Sequence, residues 1–432
     1  MLGDLYNKTL KNTNTIWFAI LLAVLLSYNA SLSAQSGWFT QNSGSNDYLY
    51  SVYFIDANTG FVAGHNGTIL KTTNSGNTWF SQTSGTSSSL VSVFFSNANT
   101  GTIVGFSTLG YNGIILRTTN SGVNWIKQAE GLPEALSSVY FTNVNTGIAV
   151  GDTGTIFRTT NGGEKWIKLF CPTDKWLVCV NFSDSVFGTA SGLFGVLIRT
   201  TNGGQNWFLL NSNIDKNLHS VYFINKDTGI AVGNPGQIFK TMNGGLSWVQ
   251  KTSPVVGFSL RSVFLVNSNI GYIAAHGGLI MKTTDGGEVW NIQTIGAYSP
   301  LKSIFFLNSD TGFAVGEYGT ILKTVTGGSV GIKKISEVIP NNFYLYQNYP
   351  NPFNPITNIK FDIPVKSITK LFILDITGKE IDILVDEELT IGSYEVQWPA
   401  PSGNATSYPS GIYFYKLVSK NHTLTRKMIL IK

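Results

Sequence analysis

Seven tryptophans recur along most of the chain at a nearly constant interval. They stand at positions 38, 79, 125, 166, 207, 248 and 290, so the successive steps are 41, 46, 41, 41, 41 and 42 residues. A period near 41 residues with short apolar runs is typical of a β-propeller, in which each repeat forms one four-stranded blade. This periodicity is the strongest constraint that the sequence places on its fold.

Each repeat contains the same parts in the same order. An SVYF-like run, an N-x-N-T-G turn, a short apolar run, a G-x-x-G turn, a TILKTT-like run and an N-G-G turn lead to the tryptophan segment. Seven SVYF-like runs are present, but the seventh repeat lacks its tryptophan segment, and residues 37–41 (GWFTQ) supply one at the other end. We therefore predict an all-β protein with a seven-bladed β-propeller over residues 37–328, closed by the N-terminal strand.

The last part of the chain has a different pattern. Residues 343–432 contain short runs of alternating polarity separated by glycine turns, which predicts a small Ig-like β-sandwich. Residues 329–342 are expected to be a linker.

Residues 1–34 have the features of a secretory signal peptide. Lys8 and Lys11 precede an apolar run at 16–26, which is shorter than the ~20 residues that a membrane-spanning helix needs. Small polar residues follow, with cleavage expected near Ala34; an uncleaved anchor is the alternative. We therefore expect no stable membrane span. The chain has no dense Lys/Arg run, so we expect no nucleic-acid partner.

Cysteine and histidine are scarce. Cys171 and Cys179 are the only cysteines, and because an exported protein can be oxidised, they form a possible disulfide; two buried thiols are the alternative. There are four histidines and no C-x-x-C pair, so we predict neither a metal site nor a cofactor.

The motif T-x-N-x-G-x-x-W resembles the Asp box of sialidase-type BNR repeats. The whole blade pattern, NTGFAVGxxGTILKTTNGGxxW, resembles the Ycf48/Hcf136-like photosystem assembly-factor propellers. The side chain at the Asp position of the box is expected to hold a turn by bonding backbone amides two residues on, and the tryptophan is expected to pack between blades. The turn residues are Asn74, Asn120, Asn161, Asn202, Asn243 and Asp285, and the tryptophans are Trp38, Trp79, Trp125, Trp166, Trp207, Trp248 and Trp290.

The C-terminal segment resembles the type A sorting domain of type IX secretion cargo. Four motifs carry the resemblance in order: NYPNPFNP at 348–355, DITGK at 375–379, SGIYFYKL at 410–417 and KMILIK at 427–432. The resemblance implies that residues 343–432 bind the type IX secretion machinery and are usually removed after export. It also implies a secreted, extracellular or outer-membrane-surface location, away from photosystems. An adhesive or structural Ig-like domain is the alternative.

Candidate catalytic groups are few. A sialidase needs an arginine cluster and a tyrosine nucleophile. Here one repeat position holds arginine in three blades and lysine in four: Arg117, Arg158, Arg199, Lys71, Lys240, Lys282 and Lys323. We expect these cations to bond solvent or neighbouring blades; an anion-binding ring is the alternative. An extracellular glycoside hydrolase of sialidase-like or related propeller type remains the alternative function, using loop carboxylates Asp152, Asp174, Asp215 or Glu317.

The turns of a propeller blade divide between two faces. Turns after the first and third strands are nearly uniform here, whereas turns after the second and fourth strands vary and form what we call the diverse face. Variable, aromatic-rich loops on a repeated scaffold are typical of recognition. We therefore expect a non-enzymatic, secreted or cell-surface propeller that binds an unidentified protein or glycan there. The candidate ligand-binding residues are His65, Asn66, Tyr111, Asp152, Trp176, Phe194, His276, Glu317 and Tyr318.

Overall fold

The computed structural model describes residues 37–293, 299–328, 332–336, 338–354, 356–398 and 408–431. They belong to two compact units, with the division between residues 329 and 330. The predicted signal peptide, residues 1–34, lies outside the described residues. Within those ranges, no helix is both long and apolar enough to cross a membrane.

The first unit is a seven-bladed β-propeller in which every blade is a four-stranded antiparallel sheet. The strands of blades 1 to 3 are Leu49–Phe54, Gly60–Gly64, Ile69–Thr72 and Phe80–Gln82; Ser89–Phe95, Gly101–Phe106, Gly113–Thr118 and Ile126–Leu132; and Leu136–Phe141, Gly147–Gly151, Ile156–Thr159 and Ile167–Lys168. Those of blades 4 and 5 are Leu177–Phe182, Gly188–Gly192, Leu197–Thr200 and Phe208–Leu209; and Leu218–Phe223, Gly229–Gly233, Gln237–Thr241 and Val249–Lys251.

Those of blades 6 and 7 are Leu260–Leu265, Gly271–Ala275, Ile280–Thr283 and Asn291–Gln293; and Leu301–Phe306, Gly312–Gly316, Ile321–Gly328 and, from the N-terminus, Gly37–Gln41. The N-terminal strand pairs with Ile321–Gly328, and Trp38 lies opposite Thr324. Single 3₁₀ turns form four of the hairpins between second and third strands: His65–Gly67, Asp152–Gly154, Leu193–Gly195 and His276–Gly278. The predicted ring closure is thus present.

A ring of serine hydroxyls connects the first strands around the propeller axis. In six of the seven seams, the serine of one SVYF-like run accepts a hydrogen bond from a backbone amide in the first strand of the next blade, at 3.1 to 3.4 Å. The serines are Ser51, Ser92, Ser138, Ser220, Ser262 and Ser303. In the seam between blades 4 and 5, Cys179 replaces serine, and its Sγ lies 3.7 Å from the Val221 carbonyl oxygen.

Aromatic stacking across glycine fills the seams between blades. Phe54, at the end of the first strand of blade 1, covers Gly60, where an added Cβ would lie 2.6 Å from the ring. The same Phe54 ring stacks on Phe313 of blade 7 with centroids 4.1 Å apart, and Trp79 meets it edge-on at 6.0 Å. Glycine at this position therefore lets a large first-strand side chain reach the neighbouring blade, which buries apolar area at every seam.

In blades 1 to 5 the box asparagine holds the turn before the outer strand, although through a different amide from the one expected. In blade 1, the Thr72 hydroxyl donates to Asn74 Oδ1 and accepts from the Gly76 amide at 2.9 Å. Asn74 Oδ1 accepts from the backbone amide of Thr78, four residues on, rather than two. Asp285 makes the equivalent bond with Val289. Together these bonds satisfy the backbone of a turn that glycines with positive φ make possible.

The two cysteines are free thiols, which is the alternative to the possible disulfide. Cys179 packs into the seam between blades 4 and 5, whereas Cys171 packs against the seam between blades 3 and 4. The two cysteines are therefore close in sequence but pack into different seams of the propeller. Burial raises the pKa of both thiols, which opposes formation of the reactive thiolate.

The second unit is a two-sheet sandwich around one apolar core. One sheet contains, in spatial order, Ile332–Ser336, Gly392–Trp398, Thr357–Ile363 and Tyr344–Leu345; the other contains Glu380–Leu389, Ser367–Leu374, Gly411–Ser419 and His422–Leu430. The first of these strands lies inside the segment predicted to be a linker, because Ile332–Ser336 pairs with Gly392–Trp398. The sandwich therefore begins before residue 343.

The NYPNPFNP motif makes hydrogen bonds to both sheets of the sandwich, at Thr357 in the first sheet and at the end of the last strand in the second. Asn348 is 2 % exposed, and its Nδ2 donates to Thr357 Oγ1 at 2.9 Å. The backbone amide of Phe353 donates to the Ile429 carbonyl, and that of Ile431 donates to the Phe353 carbonyl, both at 3.0 Å. The motif therefore supplies hydrogen bonds along an otherwise unpaired sheet edge.

Replacing the buried Thr72 with valine tests the turn that holds each outer strand. Thr72→Val keeps the shape but removes the hydroxyl that bonds Asn74 and Gly76, so we expect the free energy of unfolding of the propeller to fall by about 2 kcal/mol. Chemical denaturation measures it. Thr73→Val is the matched control, since Thr73 is exposed and should change stability little. Equal effects at both positions would contradict the role of the hydroxyl.

Candidate functional site

Backbone hydrogen bonds place the variable loops together on the diverse face. The His65 amide donates to the Tyr48 carbonyl of its own blade, and the Gly67 amide donates to the Ser88 carbonyl of the next, each at 2.8 Å. The Gly319 amide makes the same kind of bond to Asp47, from blade 7 to blade 1. The hairpins of blades 1, 3, 5 and 7 are thus each fixed between two entry loops, one of their own blade and one of the next blade.

The opposite face uses its charged side chains to join blades. Lys71 Nζ donates to the Ser121 carbonyl of the next blade at 2.6 Å, and Arg117 Nε donates to the Gly162 carbonyl at 2.7 Å. The other five cations of this repeat position also contact the turn of the next blade: Arg158, Arg199, Lys240, Lys282 and Lys323. These contacts support the structural interpretation of the cations and not the anion-binding ring.

On the diverse face, one position of the first strand varies in a way that the repeat does not require. It immediately precedes the serine of the SVYF-like run and holds, in blades 1 to 7, Tyr50, Val91, Ser137, Val178, His219, Arg261 and Lys302. Three successive blades thus carry basic side chains at the same level around the axis. Because the ring of first strands brings neighbouring blades into contact, residues 41 or 42 positions apart become neighbours.

His276 completes a group that we call the basic crescent: His219, Arg261, His276 and Lys302. Lys302 Nζ lies 2.8 Å from Glu317 Oε1 and 3.5 Å from His276 Nε2. Glu317 is the one carboxylate that forms an ion pair with the crescent among the described residues. Buried Arg261 Nε and His219 Nε2 have no hydrogen-bond partner. The crescent therefore has donor capacity that the protein does not use internally.

A cleft of roughly 580 Å³ opens beside the crescent between blades 5 and 6. Its lining comprises Asn234, Pro235, Gly257, Phe258, Ser259, Arg261, His276 and Gly277. Asn234 Oδ1 and Ser259 Oγ are buried and unpartnered, like Arg261 Nε. The side chain of Asn234 lies next to that of His219. Among the described residues, fourteen buried side-chain nitrogen and oxygen atoms have no hydrogen-bond partner. Most of them are spread over the blades, whereas these three meet in one cleft, and this clustering indicates a site for a ligand or ordered water.

Burial and neighbouring charge keep the histidines of the crescent neutral near pH 7. Burial, assisted by the positive charge of Arg261, lowers the pKa of His219 to about 4. Burial also lowers the pKa of His276, as do Arg261 and Lys302, against the opposing effect of Glu317. The net positive charge of the site therefore rests on Arg261 and Lys302, while the imidazoles offer neutral donors or acceptors.

The predicted ligand-binding residues all lie on the diverse face but do not form one cluster. His276 and Glu317 belong to the crescent region. Next to it, Tyr48 meets Tyr318 at 5.5 Å and His65 at 6.5 Å, and Asn66 bonds Asp47. The remaining residues stand elsewhere: Trp176 donates to Ser137 Oγ, Asp152 accepts from the Thr153 amide, Phe194 is 65 % exposed, and Tyr111 stacks on Phe106.

Sequence reasoning missed His219, Arg261 and Lys302 as site residues. They belong to the repeated strand, which we treated as scaffold. The signal was present nevertheless, since HSVYF, RSVFL and KSIFF follow one another in the last three repeats. Aligning the repeats and comparing each position across blades would have revealed the basic triplet.

Each of the loop carboxylates has a partner close by in the structure. Asp174 and Asp215 each form an ion pair with the adjacent lysine, and those hydrogen bonds lower the pKa of both carboxyls, opposite to what a general acid needs. Asp152 caps its own turn, and Glu317 pairs with Lys302. Among the described residues, no group of three or more His, Cys, Asp and Glu could hold a metal ion.

Two protein families match this sequence, one over the propeller and one over the C-terminal sandwich. The sequence model of the family described as photosynthesis system II assembly factor YCF48 matches residues 30–170 and 204–296, more than half of the chain. The model of the secretion system C-terminal sorting domain matches residues 347–432. No curated protein matches the sequence.

Solved structures share the propeller fold. One described as YCF48 bound to D1 peptide is 23% identical, with a TM-score of 0.58, and covers 68% of this chain and 100% of its own. YCF48 from Cyanidioschyzon merolae is 21% identical, with a TM-score of 0.57, and covers 66% and 98%. Virginiamycin B lyase from Staphylococcus aureus is 13% identical, with a TM-score of 0.58 and the same coverage. Taken with the family match, the chain belongs to the YCF48 family of propellers and carries a secretion-system sorting domain at its C-terminus.

Proposed function

We propose that this protein is a secreted, non-enzymatic propeller that binds a negatively charged protein or glycan on its diverse face, through the basic crescent. The observation that carries the proposal is the unpaired donor Arg261 Nε, together with the unpaired His219 Nε2, next to a cleft with further unpaired polar atoms. Charged hydrogen-bond donors in a partly buried site bind anions more strongly than exposed ones. The opposite face, in contrast, uses its cations between blades.

The sorting domain supports delivery of this propeller to the outside of the cell. A signal peptide at residues 1–34 would take the chain across the inner membrane, and the type IX machinery would then recognise the C-terminal sandwich. The mature protein would act in the medium or on the outer-membrane surface. One solved YCF48 structure contains a bound D1 peptide, which supports binding of a partner by a propeller of this fold.

Binding of the purified full chain to two polyanions tests the proposal. Poly-L-glutamate and polygalacturonate, which represent an acidic protein and an acidic glycan, are immobilised on the sensor for biolayer interferometry. We expect binding to at least one, and at least about a tenfold loss of affinity in Arg261→Gln/Lys302→Gln, since a hydrogen bond to a charged group contributes about 1.5–3 kcal/mol. Lys127→Gln/Lys175→Gln removes the same charge from exposed positions and should bind normally.

Two results would count against this function. If neither polyanion binds, or if both double variants lose binding equally, the crescent is not a specific site. Release of reducing ends from polygalacturonate, abolished by Glu317→Gln, would favour the glycoside hydrolase instead. The folded fraction of each variant is checked by thermal unfolding.

The neutral state of His219 predicts a pH dependence of stability. Its folded-state pKa, about 4, lies below the ordinary value of 6.5, so the unfolded chain binds the proton more readily. The contribution of His219 to the free energy of unfolding is therefore fully present above pH 6.5 and is lost as the pH falls towards 4. His219→Gln should reduce the loss of unfolding free energy between pH 7 and 4.5 by about 2 kcal/mol. His65→Gln is the control; an unchanged loss in His219→Gln would refute a buried neutral imidazole.

A further inference from the structure

We propose that the cleft between blades 5 and 6 binds a uronic-acid residue of an acidic glycan, with the carboxylate at Arg261. This inference rests on the proposed function and names its ligand class. A uronic acid combines a carboxylate, several hydroxyls and an apolar ring face. The cleft provides a complementary group for each of these three features.

The apolar wall of the cleft is an exposed aromatic ring in a fixed position. Phe258 is 40 % exposed and lies against Gly277, where an added Cβ would be 2.7 Å from its Cε1. Gly277 has φ +75°, a conformation that glycine adopts without strain, and the absence of a Cβ there allows the ring to approach. Pro235 also lines the cleft. An aromatic face that is held in place this way suits the C–H face of a pyranose.

The polar atoms of the cleft match hydroxyls as well as a carboxylate. Arg261 Nε is a donor, Asn234 Oδ1 is an acceptor, and Ser259 Oγ can serve as either; all three are buried and unpartnered. A carboxylate accepts hydrogen bonds but cannot donate to Asn234, whereas a sugar hydroxyl can. The mixture of donors and acceptors therefore points to a ligand that carries both kinds of group.

The backbone around the cleft favours a sugar over an acidic peptide. The amides of Asn234, Gly236 and His276 already donate to the carbonyls of Asn217, Phe258 and Ser259, at 2.7 to 3.0 Å. An extended peptide is usually held by a row of free main-chain groups at a sheet edge. The unpaired groups here are side chains that converge on one cavity, whose size is that of a small-molecule site, about 300–1,000 Å³.

Calorimetry of the purified full chain with trigalacturonate tests the assignment. The matched probes are its methyl ester, which lacks the charge, and a triglutamate peptide, which lacks the sugar. We expect the free acid to bind at least about tenfold more tightly than either, because the charged hydrogen bond and the stacking are both needed. Arg261→Gln should lower the affinity at least about tenfold, and Phe258→Ala should lower it about fivefold with the charge unchanged.

Lys175→Gln is the matched control for Arg261→Gln, since it removes one charge from an exposed side chain on the same face. Its affinity should equal that of the unmodified chain. Preference for triglutamate would overturn the glycan assignment and leave the proposed function standing, whereas absence of any binding by all acidic probes would overturn both. Equal binding of the methyl ester would overturn the role of Arg261, and unchanged binding in a folded Phe258→Ala would overturn the stacking.

Discussion

The contact between neighbouring blades is the constraint on which this propeller depends. At each seam, a first-strand side chain crosses a glycine and packs into the preceding blade, and a tryptophan or its equivalent covers the cluster from the outside. The serine ring near the axis and the cation ring at one face add polar contacts to the same seams. Since one blade alone exposes both sheet faces, its stability comes from its neighbours, as in other repeat architectures.

These seam contacts explain why the repeated motif is uniform and one face is free to vary. The N-T-G and N-G-G turns carry residues that bond or pack against the next blade, so changes there would damage a seam. Several hairpins of the diverse face bond the neighbouring blade through backbone amides, as at Gly67, Gly154, Gly236 and Gly319. Backbone bonds tolerate many side chains, and this freedom permits different chemistry in each blade.

The sequence period predicted much of the fold because each repeat contains the strands, turns and tryptophan of one blade. The tryptophan interval predicted seven blades, and the displaced Trp38 predicted closure by the N-terminal strand. The site was harder to predict because its residues come together only when the blades close into a ring. His219, Arg261 and Lys302 are distant in sequence, and each alone looks like an ordinary strand residue. The state of the cysteines stayed open from the sequence for the same reason, since Cys171 and Cys179 are near in sequence but pack into different seams.

Closure by Gly37–Gln41 has a consequence for how the molecule is made. The partner of this strand, Ile321–Gly328, is the last propeller strand to leave the ribosome or the export channel. Gly37–Gln41 therefore has no strand to pair with until the rest of the propeller has emerged. Trp38 Nε1 bonds Gln293, a separation of 255 residues, which ranks among the longest loops the chain has to close. Until that moment, the emerging chain is an open arc with two unpaired edges. Exported molecules of this design therefore need protection from self-association over almost the entire length of their synthesis.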